Sequence, residues 1–304
     1  MESQINEKFA QIAHKLAPHS KLLRAWELKG GISARVTVLE IERPGGQRQK
    51  MLVRQHGEVD LRLNPQIAAD EFRLLQLLQV AGLTTPEPYY FDQSGDIFST
   101  PYIVIEYIEG KTEFTSADGA GLILQFAAHL ASIHTLNCTR ADLSFLPDQA
   151  QRYTTKLRAS PERLDETLDE GHIRDVLEAA WPFPQRNPSV LLHGDFWPGN
   201  ILWRDGQIVA IIDWEDATVG DPLEDLANSR LEMLWAFGLD AMQRFTDEYR
   251  ALMPIDFTNL PYWDLCAALR PASRIAEWAG DESTEKHMRT GHKLFINQAF
   301  EKLN

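Results

Sequence analysis

The pattern of apolar and polar positions divides the first third of the chain into helix, strands and helix. Residues 3–17 carry apolar side chains three and four positions apart, which predicts a helix that ends at Pro18. From residue 21 to 54 apolar and polar positions alternate, with a turn at Pro44-Gly45-Gly46, and this predicts β-strands. Residues 66–80 return to helical spacing, and residues 102–108 form a short apolar run typical of a buried strand.

Beyond residue 112 the pattern is mainly helical. Ser116 or Asp118 can cap a helix that runs to about residue 136, because both side chains can accept hydrogen bonds from first-turn amides. Helical spacing is also found in three further segments, which are residues 152–158, residues 161–180 and the chain from Asp221-Pro222 to its end.

Two short apolar runs interrupt this helical half. Residues 190–192 and 208–212 predict buried strands, and Asp205-Gly206 between them predicts a hairpin turn. The expected fold class is therefore α+β in two lobes. We expect a small antiparallel β-rich N-terminal lobe, residues 1–108, that includes the strand leading to the hinge, and a larger, mainly helical C-terminal lobe, residues 109–304.

Composition and charge exclude several classes of protein. The chain has 304 residues and a formal net charge of −14, which argues against binding to nucleic acid or to an anionic membrane surface. The same charge would favour a cationic small molecule as a partner, although an acidic surface also serves solubility. The two cysteines, Cys138 and Cys266, form no CxxC pair, and the first residues include no apolar leader core. No apolar run approaches the ~20 residues of a membrane span, so we expect a cytoplasmic protein.

Polar side chains with metal- and proton-binding capacity follow the buried strands of the C-terminal half. Asp195 and Asn200 come directly after the run 190–192, and Asp213 ends the run 208–212. Protein kinases use the spacing Asp-x4-Asn, followed by an Asp on a strand, for a base and for metal ligands. Mg²⁺ prefers hard oxygen ligands and keeps several waters, so two protein groups together with phosphates suffice to bind it.

These residues carry a family resemblance. The segments His193-Gly-Asp-Phe-Trp-Pro-Gly-Asn200, Ile212-Asp-Trp-Glu-Asp216 and Gly220-Asp-Pro-Leu-Glu-Asp-Leu226 resemble the aminoglycoside phosphotransferase/choline kinase family. The resemblance implies a protein-kinase-like two-lobed fold and transfer of the γ-phosphoryl group of ATP, with Mg²⁺, to a hydroxyl of a small molecule such as an aminoglycoside, an amino alcohol or a sugar. It also implies that Asp195 is the catalytic base and that Asn200 and Asp213 are magnesium ligands. His193 and Asp221 would orient the catalytic loop rather than react. For His193 we expect a structural imidazole, and Asp221 before Pro222 is equally compatible with simply beginning a helix.

The resemblance extends to the N-terminal lobe, where it implies the nucleotide site. Gly30, Gly31 and Ser33 would cover the phosphates, although the segment is also compatible with a plain β-turn. Arg54 stands where the family pattern expects a lysine on the third strand, and Arg can bind phosphate bidentately. Glu71, on the following helix, is its expected ion-pair partner. Adenine would contact backbone groups of the hinge from Glu106 to Ile108.

The sequence leaves two interpretations of the acceptor site. One interpretation binds an amine through aromatic and acidic side chains, and the other treats the same side chains as packing residues; the set comprises Trp214, Glu215, Asp216, Glu232 and Trp235. Two further functions compete with the kinase hypothesis. A non-catalytic nucleotide-binding protein is suggested by Arg54, and a metal hydrolase is disfavoured because the sequence has no HExxH motif.

Overall fold

The chain forms two compact units in a computed structural model that describes residues 2–28, 34–112, 119–136, 142–159 and 161–303. The first unit comprises Met1–Gly110 and Val209–Glu215, and the second comprises Lys111–Ile208 and Asp216–Asn304. The predicted glycine segment at Gly30, Gly31 and Ser33 lies outside the described residues, as do the predicted helix caps Ser116 and Asp118.

A five-stranded antiparallel sheet, in the order β1-β2-β3-β5-β4, forms the centre of the first unit. Its strands are β1 (Lys21–Glu27), β2 (Ala34–Glu42), β3 (Arg48–His56), β4 (Pro88–Asp92) and β5 (Tyr102–Glu106). The helices of this unit are α1 (Glu2–Leu16), α2 (Glu58–Leu63) and α3 (Ile67–Val80). The predicted strands of residues 21–54 are therefore present, and so are the predicted helices of residues 3–17 and 66–80.

Alternation along β3 gives its two faces different partners. Met51 and Val53 belong to the apolar cluster that contains Phe9 and Ile12 of α1. Because successive side chains of a strand point to opposite faces, Arg54 lies on the face away from α1. On that face its guanidinium is hydrogen-bonded to Glu71 of α3. The two faces of β3 thus contact an apolar cluster on one side and a buried ion pair on the other.

The second unit is mainly helical. Its helices are α4 (Gly119–His134), α5 (Gln149–Arg158), α6 (Glu170–Ala180), α7 (Leu223–Phe237), α8 (Leu239–Leu252), α9 (Leu260–Ala268), α10 (Ile275–Ala279) and α11 (Glu282–Leu303). Its short strands are β6 (Val190–Leu192), β7 (Ile201–Arg204) and β9 (Thr218–Gly220), and β8 (Gln207–Ile211) begins in this unit and continues into the first. No helix in the described part of the chain is long and apolar enough to cross a membrane.

One detail differs from the sequence prediction and another agrees with it. The segment predicted as helical from residue 161 begins its α-helix only at Glu170, after a short 3-10 turn over Glu166–Leu168. Asp169, between the two, has a left-handed backbone with φ of 57°, which interrupts the helical hydrogen bonding. The predicted turn at Asp205-Gly206 is found, with positive φ at both residues, as a two-residue hairpin requires.

Helix α7 is buried along most of its length, although it carries several polar side chains. Arg230 forms a two-hydrogen-bond pair with Asp264 of α9, at 2.9 and 3.1 Å, and both side chains are buried. Buried ions are retained in proteins where they are paired, so this contact fixes α7 against α9. The polar residues of α7 nearer its beginning meet the loop that follows β6.

Candidate active site

A tight turn after β6 presents Asp195. Gly194 has a φ of +83°, and a Cβ atom on it would lie 2.2 Å from the main-chain oxygen of Asp216. Only glycine fits this position without moving the backbone. The sequence His193-Gly194-Asp195 therefore folds as a sharp turn because its middle residue has no side chain.

Asp225 of α7 holds this turn in place. Its carboxylate accepts the backbone N–H of His193 at 2.6 Å and that of Gly194 at 2.8 Å, and it lies 3.2 Å from Nε2 of His134. Burial alone would raise the pKa of Asp225, but His134 and the turn around His193 outweigh it and hold the pKa below its ordinary value. His134 in turn bonds the hydroxyl of Tyr249 at 2.6 Å. A buried network thus fixes the backbone before Asp195.

Asp225, and not Asp221, is hydrogen-bonded to the turn that precedes Asp195. The carboxylate of Asp221 accepts the N–H of Leu223 at 3.0 Å, at the beginning of α7, and a hydrogen bond from the Asn187 amide at 3.1 Å. Asp221 therefore stabilises the start of the helix, one turn before the residue that reaches the turn carrying Asp195. His193 is fully buried, as expected of a structural imidazole, and its Nδ1 accepts the N–H of Asp195 at 3.3 Å.

The carboxylate of Asp195 is bound on both oxygen atoms. Asn200 donates to Oδ2 at 3.0 Å through its side-chain amide, and Arg270 donates to Oδ1 at 2.5 Å. The same Asn200 amide nitrogen also donates to the main-chain oxygen of Asp195, at 2.9 Å. Because the Asn200 nitrogen is used in this way, its carbonyl oxygen is left as an acceptor or a metal ligand.

Arg270 is a partner of Asp195 that the sequence pattern did not indicate. It follows α9, 75 positions after Asp195, and no spacing rule links the two. Burial would lower the pKa of the Arg270 guanidinium, but Asp195 and then Glu232 outweigh it and raise the pKa. Burial raises the pKa of Glu232 to about 7; Arg270 opposes this effect, and the Asp195 charge adds to it. The sequence offers one signal that could have pointed to Arg270. It lies two residues after a helix whose last four residues are all apolar.

A second charged cluster lies in the first unit, around Arg54. The Arg54 guanidinium donates to Glu71 at 2.9 Å, to Glu215 at 2.5 Å and to Asp213. Nε2 of His56 lies 3.1 Å from the second carboxylate oxygen of Glu71. The structure thus brings together Arg54, its expected partner Glu71 and the proposed metal ligand Asp213.

Burial and charge act against each other in this cluster. Arg54 is 7% exposed and Glu71 is 4% exposed, so desolvation disfavours both charges. The three carboxylates outweigh it for Arg54, whose pKa is raised. Arg54 and His56 outweigh it for Glu71, whose pKa is lowered to about 2. Asp213 itself has a φ of 68°, a left-handed conformation uncommon for a residue with a side chain.

Other predicted nucleotide residues occupy ordinary positions in the first unit. Glu106 ends β5, its N–H donates to the main-chain oxygen of Glu87 at 2.8 Å, and Ile108 lies half-buried in the segment that follows. The nucleotide roles of Glu106 and Ile108 stay predictions. Lys50, a further cation on β3, is paired with Glu109 at 2.7 Å.

The aromatic and acidic side chains considered for an amine are mostly engaged with protein groups. Trp214 and Trp235 are buried, and their indole nitrogens donate to main-chain oxygens at 3.0 and 2.9 Å. Glu215 binds Arg54, and Asp216 binds Arg152 at 3.1 Å. Trp214 and Trp235 are therefore packing residues, as the second interpretation expects.

An antiparallel β unit joined to a helical unit, with an aspartate held in a tight turn after a short strand, defines a protein-kinase-like fold. The chain belongs to the phosphotransferase enzyme family, whose protein-family model matches residues 26–254. Among solved structures, the GDP and kanamycin complex of APH(2")-IIia superposes with a TM-score of 0.65 at 17% identity, covering 95% of this chain and 97% of that one. The predicted family and fold class are thereby confirmed.

Two curated relatives show how far the sequence similarity extends. Acyl-CoA dehydrogenase family member 11 of Rattus norvegicus is 25% identical over 230 residues, which is 66% of this chain and 29% of the relative. Viomycin phosphotransferase of Streptomyces vinaceus is 28% identical over 173 residues, or 52% of this chain and 59% of the relative. The chain thus spans less than a third of the length of the first of these relatives.

Proposed function

We propose that the protein transfers the γ-phosphoryl group of ATP, in the presence of Mg²⁺, to a hydroxyl group of a small molecule. The observation that carries this proposal is the carboxylate of Asp195, fixed by Asn200 and Arg270 in a turn within the segment that matches the family. Phosphoryl transfer needs positioning and charge stabilisation more than covalent chemistry, and a fixed carboxylate provides positioning. Low cysteine content and the use of ATP support a cytoplasmic location.

Asp195 is the proposed base. Its carboxylate would accept the proton of the acceptor hydroxyl as the oxygen attacks phosphorus. Two donors on opposite oxygen atoms restrict rotation of the carboxylate, which lowers the entropic cost of aligning it with the hydroxyl. Asp225 contributes indirectly, because it holds the backbone amides of His193 and Gly194.

The residues assigned to the metal fit Mg²⁺ chemically. Asn200 offers a neutral carbonyl oxygen, since its nitrogen is used on Asp195, and Asp213 offers a half-exposed carboxylate. When bound, the ion would neutralise charge on the phosphate oxygens. Asp213 must exchange part of its bond to Arg54 for this role.

Arg54 is the proposed phosphate-binding cation, in place of a strand lysine. Its planar guanidinium suits bidentate contacts with phosphate, and Glu71 fixes its position from α3. Asp213 and Glu215 occupy one of its nitrogen atoms, so the nucleotide phosphates would compete with these carboxylates. Gly30, Gly31 and Ser33 above the phosphates, and the backbone from Glu106 to Ile108 beside adenine, complete the proposed nucleotide site.

This occupancy of Arg54 is also the observation that favours a second candidate function, a nucleotide-binding protein without transferase activity. The two functions differ in product. We expect Asp195→Asn to lower turnover by at least about 100-fold without loss of ATP binding, because the variant keeps the shape but not the basicity of the side chain. Turnover is measured with ³²P-labelled ATP against a panel of alcohols.

The matched control is Asp205→Asn, the same substitution in the hairpin turn. Asn tolerates the left-handed backbone of Asp205, so folding and turnover should match the parent protein. Equal turnover in the parent and in Asp195→Asn would refute the assignment of the base. Mg²⁺-dependent ATP binding without any phosphorylated product across the panel would favour the second candidate.

A further inference from the structure

A cavity of about 610 Å³ lies in the second unit, beside the turn that carries Asp195. Its lining includes Gly194 of that turn, Arg270, and side chains from α5 and α7. Because Gly194 precedes Asp195 and Arg270 binds it, a molecule in this cavity would lie next to the proposed base. The volume suits a small metabolite.

Two cations in the lining of this cavity, Lys156 and Arg270, have N–H groups that are not used in hydrogen bonds to described residues. Lys156, near the end of α5, has no hydrogen bond or ion pair with any described residue, and its ammonium lies 5.6 Å from the centre of the Tyr153 ring. Arg270 uses one terminal nitrogen on Asp195, and its other nitrogen atoms form no hydrogen bond within the described ranges. The pKa of Lys156 is lowered, first by burial and then by the charge of Arg270. Cys266 and Glu224 act in the opposite direction but do not outweigh these effects. Because both cations line the same cavity, an anion bound there would offset the repulsion between them.

The acidic side chains of the lining are already engaged. Asp216 is paired with Arg152, and Asp148 caps the first turn of α5. Glu224 is bound by the Gln149 amide, and burial raises its pKa to about 7, so that the carboxyl is largely protonated at slightly acid pH. The lining therefore offers bound acids and available cations.

Two buried polar atoms of the lining also lack partners. Oδ1 of Asn228 on α7 and Oγ1 of Thr218 on β9 are buried and form no hydrogen bond with the described residues. Buried polar atoms of this kind are costly unless a ligand or water satisfies them. Both residues line the same cavity as Lys156. Asn228 and Thr218 can therefore bind the uncharged polar groups of a molecule whose charged group is bound by the cations of the lining.

We propose that the phosphoryl acceptor carries an oxyanion, a carboxylate or a phosphate, which binds Lys156 and Arg270 in this cavity and directs its hydroxyl to Asp195. The inference rests on the proposed function and names its substrate class. The hydroxyl proton goes to Asp195, the acceptor oxygen bonds to the γ-phosphorus, and the bond from that phosphorus to the bridging oxygen breaks to release ADP. The net charge of −14, which favours a cationic acceptor, describes the whole surface and not this cavity.

The first experiment compares acceptors that differ only in charge. The set is 3-hydroxybutyrate, 1,3-butanediol and 4-amino-2-butanol, with sn-glycerol 3-phosphate and glycerol as the phosphate arm. We expect phosphorylation of the anionic members, and the ratio of kcat/KM between the two anions distinguishes carboxylate from phosphate. Transfer to the neutral or cationic members alone would overturn the inference while leaving the proposed function intact.

Variants of Lys156 test the binding mode. Lys156→Met should raise KM for the anionic acceptor by about 10- to 100-fold with kcat nearly unchanged, since one charge-assisted hydrogen bond is lost. Lys156→Arg should restore most of the affinity. Arg158→Met removes the same charge from an exposed position on the same helix and should leave KM unchanged. An unchanged KM in Lys156→Met would refute the assignment.

A measurement without turnover separates the two proposals. The Asp195→Asn variant is treated with an activated ester at neutral pH, which acylates accessible lysines. The fraction of Lys156 that is acylated is measured by mass spectrometry. Inorganic phosphate or 3-hydroxybutyrate should protect Lys156 at least threefold, and 1,3-butanediol should not. Protection without transfer to any alcohol would support the anion site and contradict the proposed function. Equal labelling with and without the anions would contradict the anion site.

Discussion

At the residue scale, the ion pair of Arg54 with Glu71 shows what a sequence can predict. Arg54 stands on a strand and Glu71 on the next long helix, and both positions follow from periodicity and from the family pattern. The structure joins them at 2.9 Å. The additional bonds from Arg54 to Asp213 and Glu215 connect residues about 160 positions apart, and no local pattern indicates such a contact.

We expect Arg54→Ala to lower the free energy of unfolding by about 3–5 kcal/mol, because it leaves the buried Glu71 carboxylate without its guanidinium partner. The measurement is urea unfolding followed by circular dichroism. Arg35→Ala is the control, since Arg35 and Glu27 form an ion pair that is more than half exposed, and its loss should cost about 1 kcal/mol or less. Equal effects of the two substitutions would contradict the buried pair.

The pH dependence of stability follows from Glu71. Its pKa in the folded protein, about 2, lies below the ordinary value of 4.5, so the ionised carboxylate stabilises the fold above about pH 4.5. This contribution is lost as the pH falls from 4.5 towards 2. The difference in unfolding free energy between the parent and Glu71→Gln should therefore be largest above pH 5 and shrink towards pH 2. A difference independent of pH would contradict the lowered pKa.

At the scale of elements, helix α7 holds the turn that carries Asp195. The sequence pattern places a helix from Asp221-Pro222 onwards and leaves Asp221 either to orient the loop or to begin the helix. Asp225 contacts the loop because it lies one turn further along the helix, where it is fully buried and reaches two loop amides. Helical spacing alone does not tell which turn of a helix meets a distant loop.

We expect Asp225→Asn to reduce kcat by about 100-fold, because an amide nitrogen would face backbone N–H groups and displace the turn that positions Asp195. Steady-state kinetics with saturating acceptor measures the effect. Asp221→Asn keeps an oxygen for the N–H of Leu223 and should cost less than about 5-fold. The opposite ranking of the two variants would restore Asp221 as the orienting residue.

Short elements escaped the sequence pattern for a physical reason. Helix α2 has six residues, none of them buried, so it has no apolar face to detect. Strand β4 follows Pro86 and begins at Pro88, and the two prolines obscure its pairing with β5. The longer elements α1, α3 and β3 were predictable because each buries one face.

At the scale of the whole molecule, ligand binding should report on the assignment of Asp213. A nucleotide at 100 times its Kd stabilises a protein by about 2.7 kcal/mol, which corresponds to a rise in Tm of a few degrees for a chain of this size. We expect ATP with Mg²⁺ to raise the Tm more than ATP with a chelator. In Asp213→Asn this difference should fall to less than half. Asp205→Asn should retain it, and an undiminished Mg²⁺ effect in Asp213→Asn would remove that residue from the metal site.

Family membership was predictable from the motif around Asp195, because its spacing is specific. The pairing of Arg270 with Asp195 was not, since it depends on the packing of α9. The cavity residue Lys156 was equally hidden, because an isolated lysine near the end of an amphipathic helix normally lies in solvent. Motifs thus indicate the reaction, whereas tertiary contacts are needed to suggest the acceptor.

The return of Val209–Glu215 to the first unit limits how this protein can be recombined. A fragment that stops at Gly110 lacks Asp213 and Glu215, two of the three acids that surround buried Arg54. Chimaeras between family members that exchange the N-terminal unit must therefore carry this seven-residue insert along with residues 1–110. A single crossover at the hinge would pair each Arg54 with a foreign set of acids.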